Sequence, residues 1–170
     1  MKKILLFVLF SFLITNAQNK NVFDIARNGT LKEIQELNKS NPNLIDTYNE
    51  NKSSPLILAC YRGNTDVALY LIANTKDINY NSGMGTALMA AVVKGNIELV
   101  IALIGAKANL DLFDSQGKTA LMYAVQFKNK EIIKLLLQHK VNKSILSNEG
   151  KTAFEYATFS GDETIINLLK

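Results

Sequence analysis

One pattern recurs through this chain and governs what it can fold into. Four stretches repeat it: "SSPLILACYRGNTDVALYLIA", "GTALMAAVVKGNIELVIALIG", "KTALMYAVQFKNKEIIKLLLQ" and "KTAFEYATFSGDETIINLLK". Their Ser/Thr anchors, Ser54, Thr86, Thr119 and Thr152, fall 32, 33 and 33 residues apart. A weaker copy, "VFDIARNGTLKEIQELNK", keeps the frame through Ala26, Gly29, Ile34 and Leu37. A period of this length means stacked units, each too short to bury its own apolar face.

Within each unit the letters read as two helices. Thr152 followed by Glu155 forms a capping box, in which hydroxyl and carboxylate each satisfy a backbone amide. Thr86 and Thr119 cap the equivalent helices singly. The first helices stop at Gly29, Gly63, Gly95 and Gly161, where a left-handed residue is expected. Lys128 breaks that rule and predicts local strain or a different turn. Paired apolar residues one turn apart, such as Leu99–Val100 with Leu103–Ile104, give each second helix an inward face. The Gly-containing loops 115–117 and 148–150 turn from one unit to the next, and "GMG" (83–85) reads as another such turn. That glycine pair is no phosphate loop, because the Lys-Ser/Thr that would follow one is missing.

The pattern resembles the ankyrin repeat family: T-P-L-H-x-A-A, a Gly four residues on, an I/V-V pair, L-L, then G-A-D-V-N. The resemblance spans nearly all of residues 20–170. Proline survives only at Pro55, and the motif His is replaced by Ile57, Met89, Met122 and Glu155. Loose copies of the last segment occur at 76–80 and 107–111. The resemblance implies an all-α ankyrin-repeat solenoid of about five helix-turn-helix units with short β-hairpin fingers. Those units fall at 20–47, 48–80, 81–113, 114–146 and 147–170, within an ankyrin domain spanning 18–170.

Ahead of the repeats stands "MKKILLFVLFSFLITNAQ". Two lysines, an apolar core and a small, polar end form the pattern of a secretory signal peptide over residues 1–17, with cleavage expected after Ala17. The apolar core from Ile4 to Ile14 would reach about 16 Å as a helix, too short for a hydrocarbon slab of about 30 Å. No Cys directly follows it, so no lipid anchor is expected. Dropping Lys2 and Lys3 from the 19 basic residues leaves a net +2 against 15 acids. So small a charge argues against nucleic acid or an anionic membrane as partner. Export without a possible intramolecular disulfide, together with the short signal, points to a bacterial protein in the periplasm or outside the cell.

Little in the chain can do chemistry. Cys60 is the one cysteine, and "LILACYRG" reads as a small buried apolar site rather than a reactive thiol. His139, the one histidine, ends "LLLQHK" and suits a helix C-terminus. One Cys and one His make no zinc set. Asp24 and Glu33, and Asp162 and Glu163, read as solvated helix starts. No cofactor, no metal and no enzymatic activity are expected. The stretch 126–143 carries five lysines against Glu131 alone; it is either the outer face of a helix or a site for an acidic partner.

In the ankyrin family partners bind the concave face, built from finger tips and the two residues before the helix-ending glycine. Carried over, those pairs are Arg27–Asn28, Tyr61–Arg62, Val93–Lys94, Gln126–Phe127 and Phe159–Ser160. A row of Tyr61, Val93, Phe127 and Phe159 would form an exposed apolar stripe beside Arg62 and Lys94, extended by Phe113. Alternatively these side chains fold onto the next repeat and complete the core. The expected function is an exported, monomeric, non-enzymatic scaffold that binds another protein. The alternative is a secreted effector or toxin-neutralising protein with a protein target outside the cell.

Overall fold

A computed structural model describes residues 21–170, so the expected signal peptide lies outside the described residues. Ten α-helices follow in pairs: α1 (Val22–Asn28) and α2 (Leu31–Ser40), α3 (Pro55–Arg62) and α4 (Thr65–Asn74), α5 (Ala87–Lys94) and α6 (Ile97–Gly105), α7 (Ala120–Gln126) and α8 (Lys130–Gln138), α9 (Ala153–Ser160) and α10 (Glu163–Leu169). A 3-10 turn, Pro42–Asp46, follows α2. The architecture is the expected all-helical solenoid.

The helices begin where their caps dictate. Ser54, Thr86, Thr119 and Thr152 accept from the amides of Ile57, Met89, Met122 and Glu155 at 3.2–3.4 Å. The Thr152–Glu155 capping box is complete, the carboxylate accepting from the Thr152 amide at 2.6 Å. A second box opens α2: the Glu33 carboxylate accepts from the Thr30 amide at 2.7 Å, and the Thr30 hydroxyl accepts from the Glu33 amide at 3.2 Å.

Gly63, Gly95 and Gly161 end α3, α5 and α9 in the left-handed region, at φ 72, 72 and 66°. Gly29 does not. Its φ is −84° with ψ −178°, an extended residue. Helix α1 has seven residues where α3 and α5 have eight, so the chain leaves it one position early and runs straight to the Thr30 cap. Glycine is needed there for space instead: an added Cβ would lie 2.6 Å from the Ile25 Cα.

Lys128 takes the glycine conformation, at φ 53°. Its amide donates to Val125 and the next amide, of Asn129, donates to Ala124, both at 2.9 Å. Gly95 and Asn96 make the same two bonds to Val92 and Ala91. The turn therefore keeps its geometry and carries the strain. Relieving about 1–2 kcal/mol, less the added freedom of an unfolded glycine of about 0.5–1 kcal/mol, Lys128→Gly should stabilise the fold by about 0.5–1 kcal/mol. A urea midpoint at or below that of the wild type would show that the strain is not there.

Buried side chains run through the stack in columns, one per unit. Ala26, Ala59, Ala91, Ala124 and Ala157 are fully buried between the first helices. Ile34, Val67, Leu99, Ile132 and Ile165 form a second column, and Leu71, Leu103, Leu136 and Leu169 a third, both from the second helices. Apolar burial along these columns is the main stabilising term, because no unit holds its own core.

The fingers are turns rather than β-hairpins. Among the described residues the one extended pairing is an isolated antiparallel bridge between Phe113 and Thr119. Gly117 and Gly150, at φ 73 and 70°, close each loop at once. The Asp114 amide donates to Lys118 at 3.1 Å and the Ser147 amide to Lys151 at 2.9 Å, which leaves no room for paired strands. Fingers instead bond to their neighbours: the Ser115 amide to Gly83, and the Asn148 amide to Gln116, at 2.8 and 2.9 Å.

Candidate protein-binding groove

The first helices and the fingers face each other across an open groove of about 570 Å³. Counting from each cap, positions three, four and seven or eight share one helix face. On α3 these are Ile57, Leu58 and Tyr61, on α5 Met89, Ala90 and Val93, and on α7 Tyr123 with Phe127 at its C-cap; all of them line the groove. Tyr61 and Phe127 are 58 % and 53 % exposed, and Val93 is half-buried. They are surface residues, not part of the core.

The opposite wall is polar at Asn51, Ser53 and Ser82 and apolar at Met84. Met84 is 82 % exposed at the tip of its finger. Gly83 and Gly85, at φ 84 and 121°, hold it there. Gly85 also makes way for the floor of the groove, since a Cβ on it would meet the Met89 Sδ at 2.8 Å. Sequence reasoning read this segment as a turn and missed its side chain. The available signal was a large apolar residue between two glycines.

Tyr123 is fixed into the wall. Its hydroxyl donates to Asp114 Oδ2 at 2.5 Å. Asp114 is buried, and its Oδ1 accepts from the amides of Gln116 and Lys118 at 2.8 and 2.9 Å. Burial first, and then the Asp114 carboxylate, push the Tyr123 hydroxyl up to about 12. One repeat on, the Tyr156 hydroxyl donates to Ser147 Oγ at 3.0 Å in the same arrangement.

A second recess of about 400 Å³ adjoins the groove, lined by Asn28, Tyr61, Arg62, Val93 and Lys94. Tyr61 and Val93 belong to both hollows and form the ridge between them. The Lys94 stem crosses Gly63 so closely that an added Cβ would lie 2.8 Å from its Cε.

The other expected site residues stand apart. Gln126 is exposed and Phe113 is 57 % exposed, and neither lines the groove or the recess. The Phe113 carbonyl accepts from Asn81 Nδ2 at 2.8 Å, tying one finger to the next. Phe159, 87 % exposed, belongs to a separate alternation of rings and cations. Lys118 Nζ lies 5.9 and 5.4 Å from the Tyr123 and Tyr156 rings, and Lys151 Nζ lies 5.8 and 5.4 Å from those of Tyr156 and Phe159. Such contacts hold aromatic faces in place. The single stripe is thus split: Tyr61, Val93 and Phe127 meet in the groove, and Phe159 lies beyond it.

Cys60 is fully buried, and burial pushes its thiol up to about 12, far from thiolate chemistry. His139 is exposed at the end of α8, its amide donating to Leu136 at 3.1 Å. Among the described residues no three of His, Cys, Asp and Glu gather where they could hold a metal ion, and no helix is long and apolar enough to cross a membrane. In the lysine-rich stretch, Lys130 pairs with Asp162 at 3.2 Å and Lys143 donates to the Leu169 carbonyl at 2.9 Å.

Comparison with known proteins agrees with the fold. The family described as ankyrin repeats (three copies) matches residues 22–114 and again 94–170. The ankyrin repeat and SAM domain-containing protein 6 of Rattus norvegicus is 28% identical over 99 residues, 57% of this chain and 11% of that protein. The chain therefore matches only about a tenth of that relative's length.

Proposed function

We propose that this chain, which belongs to the ankyrin repeat family, is an exported, non-enzymatic scaffold that holds a protein partner in the groove between its first helices and fingers. Ankyrin repeats suggest a protein–protein interaction domain. The observation that carries the reading is the exposure of Tyr61, Phe127 and Met84 around one apolar hollow. Apolar and aromatic residues gathered in this way on a surface are what partner binding uses. Export rests on the basic, apolar and small-residue order of positions 1–17.

The test is cross-linking capture from the producing cell, with single-alanine variants as controls. Tyr61→Ala and Phe127→Ala should each weaken capture about tenfold while leaving the thermal midpoint near that of the wild type. Capture that is indifferent to both variants would remove the groove from the function. Fractionation of the same cells checks export, which predicts a mature chain beginning at Gln18 outside the cytoplasm.

A further inference from the structure

We propose that the partner enters as a polypeptide segment in which a bulky apolar side chain lies within a few residues of a carboxylate. This rests on the reading of the groove as a protein-binding surface and specifies what the groove accepts. The argument is the contrast between the two hollows that share the Tyr61–Val93 ridge. The groove on one side is lined by no charged residue. The recess on the other is lined by Arg62 and Lys94 and by no acid.

Both cations are exposed, and neither has an ion-pair partner among the described residues. They come from equivalent positions of adjacent repeats, each the last residue of its helix. Each also lies beside the negative end of its own helix dipole, so the basic pair is a built feature of the ridge. An occupant lying across Tyr61 and Val93 buries apolar surface on one side and brings charge to two cations on the other. A carboxylate there gains charge-assisted hydrogen bonds, whereas an ammonium would be repelled. The groove is open to the surface, and Asn51 and Ser53 on its finger wall can bond to peptide amides and carbonyls. That wall favours a polypeptide over a bare acyl chain.

The test is selection from a display library of random linear peptides on the full chain, followed by fluorescence anisotropy of single selected peptides. The expected peptides carry Asp or Glu within a few residues of Leu, Phe or Met and lose binding to Phe127→Ala. Arg62→Glu with Lys94→Glu should weaken them about tenfold or more. The neutral pair Arg62→Gln with Lys94→Gln, which retains much of the stem over Gly63, should give a smaller loss at an unchanged thermal midpoint. Groove-dependent peptides with no acidic bias and no response to charge reversal would overturn this inference and leave the groove reading standing. Selection of no groove-dependent peptide would overturn this inference, and cell capture indifferent to Tyr61→Ala and Phe127→Ala would overturn the groove reading with it. Palmitate, used as a competitor, should not displace the peptides; if it binds the groove while no peptide does, the occupant is a lipid and the proposal fails.

Discussion

Leu103→Ala should destabilise the fold by about 3–4 kcal/mol. Leu103 is fully buried in α6, which packs on α5 in its own unit and on α4 and α8 of the two neighbouring units. Removing its isopropyl group leaves a hole in a helix packed among three units, and close-packed helices cannot slide to fill it without parting elsewhere. The equivalent residue in α10, Leu169, has a neighbouring unit on one side only among the described residues and is 4% exposed. Its alanine variant should cost less, about 2 kcal/mol. Urea unfolding followed by circular dichroism compares the two. Equal losses would mean that position in the column does not matter and that neighbouring units do not share the core.

Asp114→Ala should cost about 2–3 kcal/mol. The carboxylate accepts from two backbone amides and from the Tyr123 hydroxyl, and it is buried. Alanine strands all three donors at once. The pH dependence has a definite sign. The Tyr123 hydroxyl ordinarily titrates at 10.0 and is raised to about 12 in the fold. Its contribution is fully present below pH 10 and is lost as pH rises from about 10 to about 12. In Asp114→Ala the hydrogen bond and charge disappear while burial remains, so Tyr123 should ionise at lower pH, still above its ordinary value. Phenolate absorbance during alkaline titration reads this directly, and an unmoved late-titrating tyrosine would show that Asp114 does not hold it.

Much of the scaffold was legible because it is written in local chemistry. Thr86, Thr119 and Thr152 cap their own helices within three residues, and Gly63, Gly95 and Gly161 take a conformation set by their own backbone. Gly29 misled because the same residue can be required by space as well as by φ, and only packing against Ile25 separates the two. The bonds between units were illegible one unit at a time. Asn64 Nδ2 reaches back to the Gly29 carbonyl at 2.9 Å, and Asn96 Nδ2 to Thr65 Oγ1 at 2.8 Å. Each asparagine reads locally as another helix start. The helix half of the candidate groove, Tyr61, Val93 and Phe127, could be named in advance because the resemblance to ankyrin repeats implies a partner face at the residues before each helix-ending turn, and the three line one groove. Its finger half could not, because the aim of Met84 depends on two glycine dihedrals that no periodicity encodes.

The alanine column has a geometric consequence. First helices pack on one another with Ala26, Ala59, Ala91, Ala124 and Ala157 buried, whereas second helices pack with Ile, Val and Leu buried. Each unit is therefore a wedge, thin on the finger side and thick on the other, and stacked wedges make an arch. The arch bends towards its thin edge, where the groove lies. Side-chain volume at Ala59, Ala91 and Ala124 thus sets the span of a surface that none of them touches. An enlarged alanine at Ala91, in the unit between those of Tyr61 and Phe127, would flatten the arch locally and spread Tyr61, Val93 and Phe127 apart.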